Sequence, residues 1–190
     1  MNTQFRIMAC LVAALVSGAA NAAAGSAAGS APTAQGAGGQ VNFKGTITDA
    51  SCNIDAGSKG QDVDLGTWDK SYFNAAGTET TKTAFNIKVT DCPDSVKQVS
   101  VLFDGQTDPQ MKNLLAVTSG GATGVGIKLY EDDQTSAVTL GTASKKQNVT
   151  VGSQNNGSAE LKFYADYMST GANITAGQAN GVADFNMIYN

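Results

Sequence analysis

Near its C-terminal end the chain places Ala179, Gly181, Ala183, Phe185, Met187 and Tyr189 at every second position. Successive side chains of an extended strand point to opposite faces, so these six share one face of a sheet. The pattern predicts a strand from about Gly181 to Tyr189. Left at an open sheet edge, a strand this apolar would expose a row of unpaired N–H and C=O groups and invite aggregation. The chain must therefore build a sheet in which something covers this strand.

The same two-residue period recurs upstream. Val41-Asn42-Phe43, Phe85-Asn86-Ile87-Lys88-Val89, Val99-Ser100-Val101-Leu102-Phe103, Val125-Gly126-Ile127-Lys128-Leu129-Tyr130 and Glu160-Leu161-Lys162-Phe163-Tyr164-Ala165-Asp166-Tyr167 all alternate. Turn signals such as Asp104-Gly105 and Asn156-Gly157 separate such runs. Short alternating runs between turn residues predict an all-β antiparallel sandwich. No segment carries a long 3.6-residue period, so helix is expected to be minor, with one turn near 108–115.

The first residues are expected to be lost from the mature protein. Arg6 precedes an apolar run from Ile7 to Val16, and Ala20-Asn21-Ala22 supplies a small-residue cleavage site. This order is that of a secretory signal peptide over residues 1–22, with a cut after Ala24 as the alternative, and the run is too short to span a bilayer. No later stretch is long and apolar enough for membrane insertion. Residues 23–44 are mostly Ala, Gly, Ser, Thr and Gln and read as a flexible extension, because they carry too little apolar surface to offset ordering entropy. Residues 45–190 form one domain.

Cys10 leaves with the signal peptide, and Cys52 and Cys92 remain. Two cysteines in an exported chain are expected to form one disulfide. The alternative, free or metal-bound thiols, lacks both a C-x-x-C spacing and any histidine. The net charge of −4 argues against nucleic acid and anionic membrane as partners, since both select for basic clusters.

Catalysis finds little to use. The chain contains no histidine, no G-x-S-x-G elbow and no S-x-x-K arrangement, and its carboxylates scatter over expected turns. The expected reading is therefore no enzyme and no cofactor. Glu131-Asp132-Asp133 reads as a hairpin turn or, alternatively, as a calcium site. Trp68, Tyr72 and Phe73 read as a packing cluster at the sandwich edge or, alternatively, as a sugar-stacking platform. Three N-x-S/T triplets begin at Asn148, Asn156 and Asn173 and are expected at the surface.

Taken in order, several segments resemble the chaperone–usher pilins, subunits of type 1-like fimbriae. These are Gly39-Gln40-Val41-Asn42-Phe43-Lys44-Gly45-Thr46-Ile47 leading to Cys52, Val63-Asp64-Leu65-Gly66, and Phe85-Asn86-Ile87 leading to Asp91-Cys92. Phe163-Tyr164-Ala165-Asp166-Tyr167 with Thr170-Gly171, then Gly177 and the penultimate Tyr189, complete the set. The resemblance implies an incomplete immunoglobulin-like sandwich lacking its last strand. A donor strand from a neighbouring subunit or a periplasmic chaperone completes it, by strand addition to an exposed edge.

The resemblance further implies a structural subunit of an extracellular fimbria that supports adhesion, exported through the periplasm and assembled at an outer-membrane usher. Ala37, Gly39, Val41 and Phe43 fall on one face of the expected donor strand, with Gly39 permitting close backbone approach. Val41 and Phe43 could instead begin the subunit's own first strand. Gly177, Gly181, Ala183, Phe185, Met187 and Tyr189 mark the acceptor groove and chaperone-binding strand. The chain is expected to be the major shaft subunit of a polymer of identical or related subunits. The alternative is a minor subunit or a carbohydrate-binding adhesive module. The Gly/Ala/Ser stretch before Cys52 is longer than is usual in that family, which leaves the start of the donor strand open.

Overall fold

A computed structural model describes residues 40–45, 47, 51–152, 156–171 and 173–190. The signal segment, Ala37 and Gly39 lie outside the described residues. The chain divides after Gly45 into two units. In the first, residues 40–45 belong to no strand, and Val41 and Phe43 are exposed. The expected strand at Val41-Asn42-Phe43 is therefore not formed within the chain.

The described residues of the second unit form nine strands: β1 (Asn53–Ile54), β2 (Thr83–Cys92), β3 (Gln98–Asp104), β4 (Leu115–Ala116), β5 (Val125–Tyr130), β6 (Gln147–Asn148), β7 (Thr150–Val151), β8 (Gly157–Ser169) and β9 (Asp184–Tyr189). They form two antiparallel sheets. One has the order β1-β2-β8-β5-β4, with β7 also paired to β8, and the other has the order β6-β3-β9. The four longer alternating runs all became strands, and β5 matches its run residue for residue. Among the described residues no helix is long and apolar enough to cross a membrane.

β8 organises the first sheet. Of its thirteen residues, those from 157 to 165 pair with β2 along one edge, while β5 takes residues 164–169 and β7 takes residues 157–158 along the other. Leu161, Phe163 and Ala165 point inward against Val99, Val101 and Phe103 of β3. Phe163 and Phe103 meet edge to face at 4.9 Å between centroids, and Phe85 lies 5.7 Å from Phe163. Edge-to-face pairs of this kind add about 1 kcal/mol beyond the area they bury. This aromatic trio lies within the contact between the sheets.

Helix is indeed minor, but it sits elsewhere than expected. Single 3₁₀ turns occur at Ala56–Ser58 and Lys70–Tyr72, each capped by the carboxylate of the preceding Asp55 or Asp69. Residues 108–115 form no helix. The Asp108 carboxylate accepts from the N–H groups of Gln110 and Met111 and closes a turn leading into β4. Glu131-Asp132-Asp133 begins the hairpin after β5, where Asp133 accepts from Thr135 N and Ser136 N at 2.9 and 2.7 Å. The glycine-poor turn carries Gln134 at φ 59°. Asn148, Asn156 and Asn173 are all exposed.

The final strand is shorter than its alternation predicts. Only Asp184–Tyr189 joins a ladder, whereas Gly177, Ala179 and Gly181 precede it without strand pairing. The reason is competition for backbone partners. The Gln178 and Asn180 carbonyls accept from Ala122 N and Thr118 N at 2.8 and 2.7 Å, which ties this stretch to a loop.

Cys52 and Cys92 form a disulfide, with Cα atoms 4.2 Å apart and both residues buried. It joins the chain just before β1 to the end of β2, next to a register shift between Val89 and Cys92. Closing a loop of this separation, 40 residues, constrains the unfolded chain by about 4 kcal/mol in the loop-entropy model. Replacing both cysteines by alanine is expected to lower the unfolding free energy by about 2–4 kcal/mol in denaturant titration.

On the opposite side of β8 from Phe163 and Ala165, Asp166 is wholly buried. It accepts from the Tyr130 hydroxyl at 3.2 and 3.3 Å and lies 3.8 Å from Lys82 Nζ. Glu79 ties the cluster together, taking Lys128 at 2.6 Å and Lys82 at 3.2 Å. Both ammonium groups also lie over the Tyr130 ring. Burial, with the Glu79 charge beside it, pushes the Asp166 carboxyl up to about 6 against the pull of Lys82. Glu79 is itself partly desolvated, yet hydrogen bonds from Lys128, Tyr130 and Lys82 hold it down at about 2.

The two carboxylates act in opposite directions on stability. Asp166 binds its proton more tightly folded than unfolded, so its contribution is lost as pH rises from 3.8 through about 6. Glu79 contributes above its unfolded value of 4.5, and that contribution is lost as pH falls toward about 2. Asp166→Asn keeps an acceptor for Tyr130 and removes the charge. Thermal unfolding at pH 5 and pH 7 is expected to show a smaller loss across this interval in the variant than in the wild type. The difference should be about 1 kcal/mol.

Candidate functional site

Among the described residues β9 pairs with β3 along one edge only. Gln98 and Asn190 exchange both backbone hydrogen bonds, at 2.9 and 3.0 Å. In an antiparallel ladder bonded and non-bonded pairs alternate, so Ile188, Asn186 and Asp184 spend their N–H and C=O groups on β3. Phe185, Met187 and Tyr189 occupy the intervening positions, and their backbone groups point to the other side. The far edge of β3 agrees with this register, because the Phe103 and Val101 carbonyls accept from Gly141 N and Ser144 N there.

Phe185, Met187 and Tyr189 are also the residues whose side chains pack on the core, half-buried, together with Ala183. One set of residues thus offers both apolar contact and free backbone donors and acceptors. The Tyr189 hydroxyl donates to the Cys52 carbonyl at 3.3 Å, and its burial pushes the phenol's pKa up. The disulfide end of the first sheet is thereby fastened to the end of β9.

Facing this edge runs a second wall, residues 60–68. It is attached to β2 through side chains. Gln61 Nε2 donates to the Asn86 carbonyl at 3.1 Å, and Thr83 Oγ1 donates to the Asp64 carbonyl at 3.2 Å. Among the described residues, 60–68 make no backbone–backbone hydrogen bond. The Asp64 carboxylate accepts from Gly66 N, whose φ of 78° lets the chain turn there.

Between the walls lies an open cleft of about 1040 Å³, lined by Leu65, Phe85, Ile87, Phe103, Ile127 and Leu129 among others. Pockets that enclose small molecules measure roughly 300–1,000 Å³. This one is as large, but it is bounded by two lengths of extended chain. Tyr167 also lines it, with its hydroxyl donating to the Ala179 carbonyl at 2.9 Å and its pKa raised by burial. The floor is hydrocarbon, and the walls supply directional hydrogen bonding. A surface of this kind has the shape and chemistry that strand addition to a sheet edge requires.

Of the residues singled out in the sequence, Ala183, Phe185, Met187 and Tyr189 come together along the edge of β9. Gly177 and Gly181 line the same cleft ahead of the strand. Val41 and Phe43, in the separate first unit, are 72% and 92% exposed. The 60–68 wall was visible in the sequence only as Val63-Asp64-Leu65-Gly66. Trp68 also lines the cleft, and its indole N–H donates to the Leu65 carbonyl at 2.8 Å. Its ring lies 4.9 Å from Tyr72, tilted by 50°, and Phe73 beneath is buried. Tilted rings with an occupied N–H form a packing cluster and not a flat platform.

The family model described as "Fimbrial protein" matches residues 41–190. The chain is 35% identical over 159 residues to a probable major fimbrial subunit, LpfA, of Escherichia coli O157:H7, covering 82% of this chain and 86% of that one. Among solved structures, an antigen and type I fimbria protein of Burkholderia pseudomallei shares 34% identity at a TM-score of 0.55, covering 78% of this chain and 96% of that chain. A subunit from the structure of a chaperone–usher pilus shares 25% identity at a TM-score of 0.61, covering 84% and 100% respectively. With its immunoglobulin-like antiparallel sandwich, the chain belongs to the fimbrial protein family and has the fold of a chaperone–usher pilus subunit.

Proposed function

We propose that this chain is the major shaft subunit of a surface fimbria and that it polymerises by strand insertion. In this reading Ala37, Gly39, Val41 and Phe43 of one copy enter the cleft of the next, beside Phe185, Met187 and Tyr189. A periplasmic chaperone occupies the same cleft before assembly at an outer-membrane usher. The role is structural and not enzymatic. Residues 1–22 serve as the export signal, 23–44 as the extension that carries the donor, and 45–190 as the accepting domain.

The observation that carries this reading is the coincidence, at one edge, of outward backbone groups and an apolar floor. A strand laid there gains two rows of main-chain hydrogen bonds while alternate side chains enter the cleft. The exposed Val41 and Phe43 are suited to such insertion because burying each is worth about 1.5–3 kcal/mol. The relative named as a probable major fimbrial subunit supports the shaft role.

Two experiments test it. Gly39→Leu is expected to stop polymerisation of the mature chain while leaving the chaperone-bound subunit folded. Denaturant-resistant ladders on a gel report this, and wild-type amounts of polymer from the variant would remove Gly39 from the donor. A proline pair probes the acceptor. Met187→Pro removes an N–H that points away from β3 and leaves the β3 ladder intact, whereas Asn186→Pro removes a ladder bond. Refolded Met187→Pro is expected to keep its near-ultraviolet circular dichroism and lose polymerisation, and Asn186→Pro to lose both. Polymerisation by Met187→Pro at the wild-type rate would exclude this edge as the acceptor.

A further inference from the structure

The wall of the cleft formed by residues 177–183 is not part of a sheet, so its position depends on what holds it from behind. Besides the Tyr167 hydroxyl on the Ala179 carbonyl, that support is one loop. Ala122 N donates to the Gln178 carbonyl at 2.8 Å, Thr118 N to the Asn180 carbonyl at 2.7 Å, and Thr175 N to the Thr123 carbonyl at 3.2 Å. The hydroxyls of Thr123 and Thr175 meet at 2.7 Å. The loop and the wall therefore lie backbone on backbone.

Gly121 sits at this crossing. A Cβ built on it would overlap the Gln178 carbonyl oxygen outright and lie 3.0 Å from the Gln178 carbonyl carbon. From the other side, a Cβ on Gly177 would lie 2.7 Å from Ala122 N and 2.8 Å from the Gly121 carbonyl carbon. Neither glycine has the left-handed backbone that marks the neighbouring Gly120 and Gly124 at φ 86° and 80°. At Gly121 and Gly177 it is space, not backbone conformation, that demands glycine.

We infer that Gly121 is a positioning residue for strand insertion, setting the cleft wall at the one distance from the opposite wall that admits a strand. This rests on the polymerisation reading above. An inserted strand must lie about 4.7–4.9 Å from the chain on each side. Its N–H···O distances must fall within about 2.7–3.2 Å in both rows at once. Making room for a methyl group at residue 121 displaces the wall by about 1 Å, which takes one row out of hydrogen-bonding range. The aromatic contact between the sheets does not touch this crossing, so the fold survives a change that the cleft does not.

The test compares Gly121→Ala with Gly171→Ala in the refolded mature chain. Gly171 has no atom nearer than 3.9 Å to its built Cβ and serves as the silent control. Gly121→Ala is expected to slow polymerisation at least tenfold. Its polymers should also come apart at denaturant concentrations that leave wild-type ladders intact. Hydrogen exchange of the β2 and β8 amides should remain at wild-type protection, a readout that a general folding defect would move. Polymerisation of folded Gly121→Ala at the wild-type rate overturns the inference, as does loss of protection throughout β2 and β8. If Gly121→Ala cannot be refolded, the milder clash of Gly177→Ala decides by the same readings. Failure of the wild-type chain itself to polymerise refutes the polymerisation reading instead, so the two failures are distinguishable.

Discussion

The edge of β9 sets the terms for the rest of the molecule. A strand that gives its inward side chains to a core ordinarily has partners on both sides, or else its open edge is shielded by charge, proline or a bulge. Here Phe185, Met187 and Tyr189 contribute to the core while their backbone groups face away from β3, and Asp184 is the one charged residue within the strand. The remainder of the sandwich is arranged to tolerate that edge. The Phe85–Phe103–Phe163 contact joins the sheets independently of it. The disulfide and the Tyr189 hydroxyl secure its far end.

Much of this was legible in the sequence because alternation is a direct imprint of the pleat. The runs at 85–89, 99–103, 125–130 and 160–167 all lie in strands, although 125–130 is largely buried on both faces. The pairing of Cys52 with Cys92 followed from compartment and count. What escaped was governed by contacts between distant segments. Nothing local announces that residues 60–68 form a wall, because they reach β2 through the side chains of Gln61 and Thr83 and not through a ladder of their own. Likewise 177–182 continues the alternation of the last strand but has its carbonyls taken by the 118–122 loop. Val41 and Phe43 show the reverse case, a strand-like pattern that forms no strand among the described residues.

The buried charges on the other side of β8 follow a different logic. Asp166 looked like one more polar position in an alternating strand, yet it is wholly buried against Tyr130 and Lys82. A carboxylate so placed costs several kcal/mol unless it is paired, and replacing the whole set by hydrocarbon could be no worse for stability. The cluster instead connects three stretches of chain, Glu79 with Lys82, Lys128 with Tyr130, and Asp166. Together with the backbone bonds between residues 77–80 and 167–169, it fixes how the chain enters β2.

The cleft also alters what the stability of this chain means. Any species that occupies the folded form and not the unfolded form adds RT ln(1 + [L]/Kd) to the unfolding free energy, about 4 kcal/mol at a thousandfold excess over Kd. Covering the hydrocarbon floor adds a negative heat-capacity change to the same event. A melting temperature is therefore a property of the solution as much as of the sequence, rising with the concentration of whatever fits between residues 60–68 and the edge of β9. Mutations on the floor act twice over, once through packing and once through this linkage.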